Sequence, residues 1–523
     1  MPKERLSQRP LKGLNPWALT LAVPLLFTAC TVGPDYVTPT APVPAAANYK
    51  ELGDWKQAQP KDDMIRGKWW EIYHDPQLNA LEDQVNISNQ NVLQAEAQFR
   101  EAAAAVKVAR AALFPTITAN PAYTESQASQ NLTVHSNAPG AQHVGATAVT
   151  LYNLPAEATY MVDVWGSVRR NVEANTATAQ ASFANLENAR LSFQATLAVD
   201  YFSLHGLDAQ EELLRTTVAS YEKFLEVTKN RYNSGIASRA DVAQAQTQLD
   251  TTKAQLIDLG VQRAIFEHAV ATLTGKPATD FSLKKVSLAG TPPPIPVGMP
   301  STLLERRPDI AQAERQVASA NASIGVAVAA YYPQITLNAS TGLEAIKLSE
   351  LFSGPSFLWS VGPVIAQTIF DAGKIHGQVQ EARANYDATV ANYRQVVLTA
   401  FQQVEDDLSG LQILENEAAA EDQAIVSARQ SVDISINEYK AGTADYLTVI
   451  TAQATALSDE LTAVTIRTNR MTTSVLLVEA LGGGWDASKL ATRADVSDVP
   501  EAQRQILKDE KAGVSMQLKP IPN

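Results

Sequence analysis

Asn230-Arg-Tyr-Asn-Ser-Gly235 and Asn437-Glu-Tyr-Lys-Ala-Gly442 decide how this chain folds. Each interrupts a long helix-compatible stretch with a glycine, and the second stands 207 residues after the first. The same offset carries Gly166 to Gly373, Ala245-Gln246 to Ala452-Gln453 and Gly275 to Gly482, without a gap. Further upstream the offset is 218, pairing Gln94-Ala-Glu96 with Gln312-Ala-Glu314 and Phe114-Pro115 with Tyr332-Pro333. The chain is an internal duplication whose halves differ by a loop insertion.

Proline sets the limits of each half, because its ring breaks helix interiors. None occurs between Pro155 and Pro277 or between Pro363 and Pro500. Each half therefore reads as helix, strand hairpin, very long helix, glycine turn and return helix. The stretches Gly166–Tyr232 and Gly373–Tyr439 would each span about 100 Å at ~1.5 Å per residue. Helices that long do not form the core of a compact domain. Leu214, Val218, Tyr221, Leu225 and Tyr232 follow steps of three and four, as do Val397, Phe401, Val404, Leu408 and Leu411, which predicts lateral helix packing.

Before each long helix the periodicity changes to two. Segments 113–119 and 146–164 flank the loop of the first half, and 331–343 and 357–370 that of the second. Gln334-Ile-Thr-Leu-Asn338 alternates polar and apolar residues, as a strand with two unlike faces does. Four strands cannot close a barrel, and an open sheet edge cannot face lipid. Single-chain outer-membrane barrels begin at about eight strands. If these strands span a membrane, several copies share one barrel; three copies would supply twelve strands and ring twelve helices. The expected fold class is thus mainly α with transmembrane β.

The first 29 residues carry Lys3, Arg5, Arg9 and Lys12, then the apolar run Trp17–Phe27, then Ala29 before Cys30. This is the pattern of a secretory signal peptide. Cleavage before Cys30 removes four basic residues and Glu4, taking the net charge from −13 to −16. So acidic a chain repels phosphate backbones, which argues against nucleic acid as a partner. Cys30 is the only cysteine, so no intrachain disulfide is possible. Past Phe27 no uninterrupted apolar stretch reaches the ~18 residues of a spanning helix. The domain order read from these signals is signal peptide 1–29, N-terminal linker 30–75, first repeat 76–275, Pro-rich linker 276–300, second repeat 301–484 and a C-terminal tail 485–523.

Several short motifs accompany the duplication: Cys30-Thr-Val-Gly-Pro-Asp-Tyr36, Trp69-Trp70 with Asp75-Pro-Gln-Leu78, and Leu303-Leu-Glu-Arg-Arg-Pro-Asp-Ile310. Arg231-Tyr-Asn-Ser-Gly235 with Asp241-Val242, Phe370-Asp-Ala-Gly-Lys374 and Tyr439-Lys-Ala-Gly-Thr443 complete the set. In this order, from about Cys30 to Gly484, they resemble the TolC-like outer-membrane efflux proteins, in the lipoprotein branch that serves resistance-nodulation-division pumps. That resemblance implies a homotrimer with a shared twelve-stranded barrel in outer-membrane lipid and a twelve-helix periplasmic barrel. It implies a periplasmic adaptor and an inner-membrane pump as partners, and a channel rather than an enzyme. Leu25-Leu-Phe-Thr-Ala-Cys30 resembles a lipobox, with Phe27 in place of the usual Leu, so a covalent lipid is implied on Cys30 and no other cofactor. Thr31, rather than Asp, implies the outer membrane.

The resemblance also places the periplasmic entrance at the tip turns, Gly235 and Gly442. Asp241 and Tyr439 match a gating pair, a carboxylate accepting a phenolic hydrogen bond. Alternatively Asp241 sits in the first turn of the return helix, where a carboxylate suits the helix dipole. Thr448 and Thr451 stand where several relatives have acidic residues, and Leu447 matches an apolar constriction residue, so the entrance would be held by Tyr439, Leu447 and Asp241 rather than by acidic rings. Other assignments fit parts of the sequence: the exit duct of type I secretion or of metal efflux, and, in another class, a periplasmic adaptor lipoprotein. An adaptor would carry one helical hairpin, not two.

Remaining signals are weak. Six histidines and one cysteine show no metal-ligand spacing. No Gly-x-x-x-x-Gly-Lys-Ser/Thr occurs, so transport energy has to come from a partner. Asp406 and Asp407 are adjacent on a helix and point different ways, which reads as a solvated or lumen-facing stretch. Gly482-Gly-Gly484 reads as a helix terminator.

Overall fold

A computed structural model of the chain describes residues 31–43, 49–50, 67–127, 129, 148–288, 290–295 and 303–497. The signal peptide, Cys30 and the tail beyond 497 lie outside the described residues. Two compact units are built from interleaved segments: residues 1–37, 103–177 and 317–388 in one, the remainder in the other.

The first unit contains the sheet, with β1 (Thr116–Ala119), β2 (Ala122–Ser126), β3 (Val149–Val162), β4 (Gln334–Ala345) and β5 (Phe357–Ala366). All pairs are antiparallel, β1 and β2 lying end to end on β3, β3 on β4 and β4 on β5. β1 lies within the expected segment 113–119, whereas β2, on the far side of Asn120-Pro121, is a strand that the expected segments do not include. Pro121 has no N–H to give to the ladder, yet Ala119 opposite Ala156 and Ala122 opposite Asn153 keep one register across the gap. Four strand lengths remain, as the periodicity predicts, with ends shifted from the expected ones. Phe114 and Tyr332 belong to turns that close the preceding helices, their N–H groups bonding Ala111 O and Ala329 O.

Register sorts the side chains. Ile117 faces Ala158, Tyr123 faces Tyr152, Tyr160 faces Leu337, and Ile335 faces Ile365, all on one side of the sheet. On the other side Thr116 faces Thr159, Glu157 faces Ser340, and Ser340 faces Ser360. The apolar side does not pack on a core: Ile117, Trp359, Val361 and Ile365 are 66–73% exposed.

Below the sheet in the same unit, Trp165 stacks on Tyr332 at 4.7 Å and 24°, and its Nε1 donates to Pro333 O at 2.8 Å. Val32 N bonds Trp165 O at 3.1 Å, and Asn321 Nδ2 donates to Pro34 O at 3.0 Å. Arg170 reaches Asp35 at 2.7 Å. Gly33, at φ +93°, lies so close to the Gly325 backbone that a Cβ would overlap it. These contacts explain Thr31-Val-Gly-Pro-Asp-Tyr36 as a docked strap.

The second unit is helical. It includes α1 (Pro76–Ser88), most of the 67-residue α3 (Ser167–Asn233), and α4 (Arg239–Leu273). It also includes α5 (Leu303–Arg306), most of the 68-residue α7 (Lys374–Ala441), the 35-residue α8 (Tyr446–Ala480) and the short α9 (Arg493–Ser497). Helices α2 (Gln90–Ala111) and α6 (Pro308–Ala329) precede the two hairpins of the sheet. Asp75 caps α1 through Gln77 N and Leu78 N at 2.8 and 3.1 Å, with Pro76 at the first position. Arg307, 8% exposed, holds Asp309 with both arms and donates to Ala480 O at 2.9 Å, so the start of the second repeat braces its end. Gly482, Gly483 and Gly484 all have positive φ and end α8, with Gly482 N on Glu479 O and Gly483 N on Val478 O.

The Pro-rich linker is tied to α3 and α4. Asp208 accepts from Arg263 at 2.7 Å and from Val286 N at 3.1 Å, while Leu283 N donates to Glu267 at 2.6 Å.

Two expectations need correction. Asp406 is exposed but Asp407 is half-buried, beside Glu479 and Arg307; burial pushes its carboxyl up to about 7, and Asp406 and Glu479 add to the shift. Asp407 is therefore only partly solvated, lining an open cavity with Asp406, Arg307 and Glu479. Tyr232, placed on the packing seam by its spacing, is 44% exposed, whereas its repeat partner Tyr439 is 4% exposed.

Candidate functional site

Both tips form by the same local chemistry. At the first, Gly235 N bonds Tyr232 O and Ile236 N bonds Arg231 O; at the second, Gly442 N bonds Tyr439 O and Thr443 N bonds Glu438 O. Gly235 and Gly442 have φ +74° and +79°, the left-handed conformation this helix ending requires.

The return helices then start on side-chain caps in which acid and hydroxyl have changed places. At α4, Ser238 Oγ accepts from Asp241 N at 3.1 Å while the Asp241 carboxylate accepts from Ser238 N at 3.1 Å and from Ser238 Oγ at 2.8 Å. At α8, 207 residues on, Asp445 accepts from Thr448 N at 3.0 Å and from Thr448 Oγ1 at 2.7 Å. The Thr448 hydroxyl and N–H hold the Asp445 carboxyl below the usual carboxylate range. The acid missing from position 448 is thus present three residues earlier.

Between the hairpins lies an aromatic core of Tyr221, Phe224, Tyr439 and Tyr446, closed by Val218, Leu225, Leu249 and Val449. Phe224 stacks on Tyr446 at 5.6 Å and 16°, and Tyr439 tilts against Tyr446 at 5.4 Å. The Arg231 guanidinium sits over the Tyr439 ring and donates through Nη1 to Lys440 O at 3.1 Å. Burial pushes the Tyr446 hydroxyl well above the ordinary phenol range.

The residues named from sequence therefore occupy three places. Tyr439 is in the aromatic core, and its hydroxyl has no hydrogen-bond partner among the described residues. Asp241 is used in capping, so the Asp241–Tyr439 hydrogen bond is not formed within the chain. Leu447, Thr448 and Thr451 line a shallow groove between α7 and α8 with Ser431, Ser435 and Asp445. Leu447 is 57% exposed there, and Thr451 Oγ1 donates to Leu447 O at 2.8 Å. Phe224, Asp445 and Tyr446 were not singled out from sequence. Asp445 carries a readable signal, since Asp-x-x-Thr repeats the Ser-x-x-Asp cap at the same offset; Phe224 and Tyr446 carry none beyond being aromatic.

The family model described as outer membrane efflux protein matches residues 81–276 and 299–483, one stretch per repeat. The probable efflux pump outer membrane protein TtgC of Pseudomonas putida is 30% identical over 471 residues, covering 89% of this chain and 95% of the relative. The pyoverdine export outer membrane protein OpmQ of Pseudomonas aeruginosa is 28% identical over 454 residues, covering 86% and 94%. Among solved structures, the outer-membrane channel OprN superposes with a TM-score of 0.79 at 28% identity, over 87% of this chain and 100% of that one.

Proposed function

The chain belongs to the outer membrane efflux protein family, and from that premise we propose that it is the outer-membrane exit channel of a tripartite efflux pump exporting small toxic compounds. One observation carries the reading. The apolar side of the sheet, from Ile117 through Tyr160 and Leu337 to Trp359 and Ile365, is uncovered while both outer strands lack a second neighbour among the described residues. Lipid suits the uncovered side, but no bare edge survives in lipid. Three copies remove all edges with twelve strands, and their long helices α3, α4, α7 and α8 also number twelve.

Cys30 bears a covalent lipid, supported by the strap that docks Thr31 against Gly166 beside the Trp165–Tyr332 stack. The homotrimer works with a periplasmic adaptor and an inner-membrane resistance-nodulation-division pump, which supplies the energy; the chain itself catalyses no reaction. The tips at Gly235 and Gly442 form the entrance, with Tyr439 and Arg231 holding the two hairpins together, Asp241 setting the first return helix, and Leu447, Thr448 and Thr451 lining the adjacent groove.

A deletion strain tested against a panel of drugs, solvents and metals, with and without the gene restored, checks this function. Hypersensitivity reversed by the wild-type gene is the expected result; unchanged susceptibility together with no conductance in lipid bilayers would reject it.

A further inference from the structure

The strands of the sheet carry charge of one sign only. We infer that Glu157 makes the barrel wall selective for cationic solutes, three copies placing three unpaired carboxylates at one height of the conduit. This rests on the trimeric channel proposed above and names the class of compound that its exit favours.

The five strands contain three glutamates, Glu125, Glu157 and Glu344, and no lysine or arginine. The three are not equivalent. Glu125 lies on the apolar side beside Tyr123, whose hydroxyl donates to it at 3.1 Å, and only Ser126 follows it in β2. Glu344 faces Asn153 on the polar side, with only Ala345 after it in β4. Glu157 alone is well inside its strand, with Val149 and Val162 at the two ends of β3. The row across the sheet at its position reads Thr118, Glu157, Ser340 and Ser360, and the two serine hydroxyls bond each other at 2.8 Å. Two residues along from the serines, Gly342 and Gly362 give the wall no side chain at all. Glu157 is exposed and makes no hydrogen bond or ion pair with another described residue.

Glutamate is depleted in strands, and an unpaired carboxylate among hydroxyls adds nothing to the packing of this one. Its effect is on what passes. Threefold symmetry sets the three Glu157 carboxylates at one height, and the lipid behind the wall has a low dielectric constant, so their field is concentrated in the water between them. Rings of carboxylates select cations in channels. The surrounding serine and threonine hydroxyls can both donate and accept, and so meet solutes of either sign alike. Discrimination by sign therefore falls to Glu157: organic cations, and zwitterions that present an ammonium group, are favoured at the barrel, and anions are disfavoured.

The experiment reads the potential at the wall. Isolated outer membranes carrying the full chain with Ser340→Cys are labelled with a methanethiosulfonate that bears either a quaternary ammonium or a sulfonate group, the wild-type chain setting the background. The ratio of the two rates cancels any change in the thiol itself. Adding Glu157→Gln is expected to lower the cationic-to-anionic ratio several-fold, Glu157→Lys to lower it further, and Glu125→Gln on the apolar side to leave it unchanged. A ratio that Glu157→Gln and Glu157→Lys both leave unchanged overturns the inference while the channel reading stands. A Ser340→Cys thiol that neither reagent reaches, in protein present at the wild-type level, overturns the water-filled barrel and this inference with it.

Discussion

The Arg231 guanidinium carbon lies 4.8 Å from the centre of the Tyr439 ring, joining the tip of the first helical hairpin to that of the second. A cation held over an aromatic face contributes about 0.5–2 kcal/mol, more as water is excluded. Arg231→Ala should therefore loosen the two tips and raise single-channel conductance in bilayers. Tyr439→Phe keeps the ring and removes only a hydroxyl without a partner among the described residues; its conductance should match wild type. A rise with Tyr439→Phe alone would show that the hydroxyl is engaged between copies.

Caps at the return helices act locally. Asp241→Ala and Asp445→Ala should each weaken the start of one return helix, seen as faster amide hydrogen exchange confined to the first turn of α4 or α8. The exchange of acid and hydroxyl between the repeats predicts that Ser238→Asp combined with Asp241→Thr restores the protection that Asp241→Ala loses.

The two sides of the sheet should respond differently to charge. Val361 is on the apolar side opposite Ala339, and Ser360 is on the polar side opposite Ser340. An arginine facing lipid near mid-membrane costs about 2–4 kcal/mol. Val361→Arg should reduce the amount of folded protein in outer-membrane fractions, whereas Ser360→Arg should leave it near wild type and alter conductance instead.

Burial of Asp407 gives a pH dependence of known sign. Its carboxyl moves from an ordinary 3.8 to about 7, so the folded chain favours the protonated form. That contribution is complete below about pH 4 and is lost as pH rises through 7. Asp407→Asn cannot ionise, and thermal melts at pH 5 and pH 8 should differ less for it than for wild type. An equal difference in both proteins would mean that Asp407 is ionised in the fold throughout.

What the sequence made legible followed from residues with few conformational options. Gly166, Gly235 and Gly275 recur as Gly373, Gly442 and Gly482, and all six adopt positive φ. The proline-free windows became the four long helices. What it hid depended on distant neighbours. Tyr232 and Tyr439 occupy the same place in the repeat, yet Phe224, Tyr446 and Arg231 gather only around Tyr439. Asp241 looked equally suited to a distant phenol and to a cap, and the nearer Ser238 has it. The helix period separates Asp406 from Asp407 but does not tell which of them faces Glu479.

Proline stands on both outer strands: Pro363 within β5, and Pro121 at the break between β1 and β2. A newly exported chain must wait for two others with its borders unprotected, and bare strand edges invite promiscuous pairing and aggregation. Each proline deletes one donor from such an edge, so a chance encounter with an unrelated strand gains little, while a matching copy can still zip along the rest of its length. The gaps that weaken the finished wall also shield it before it is built.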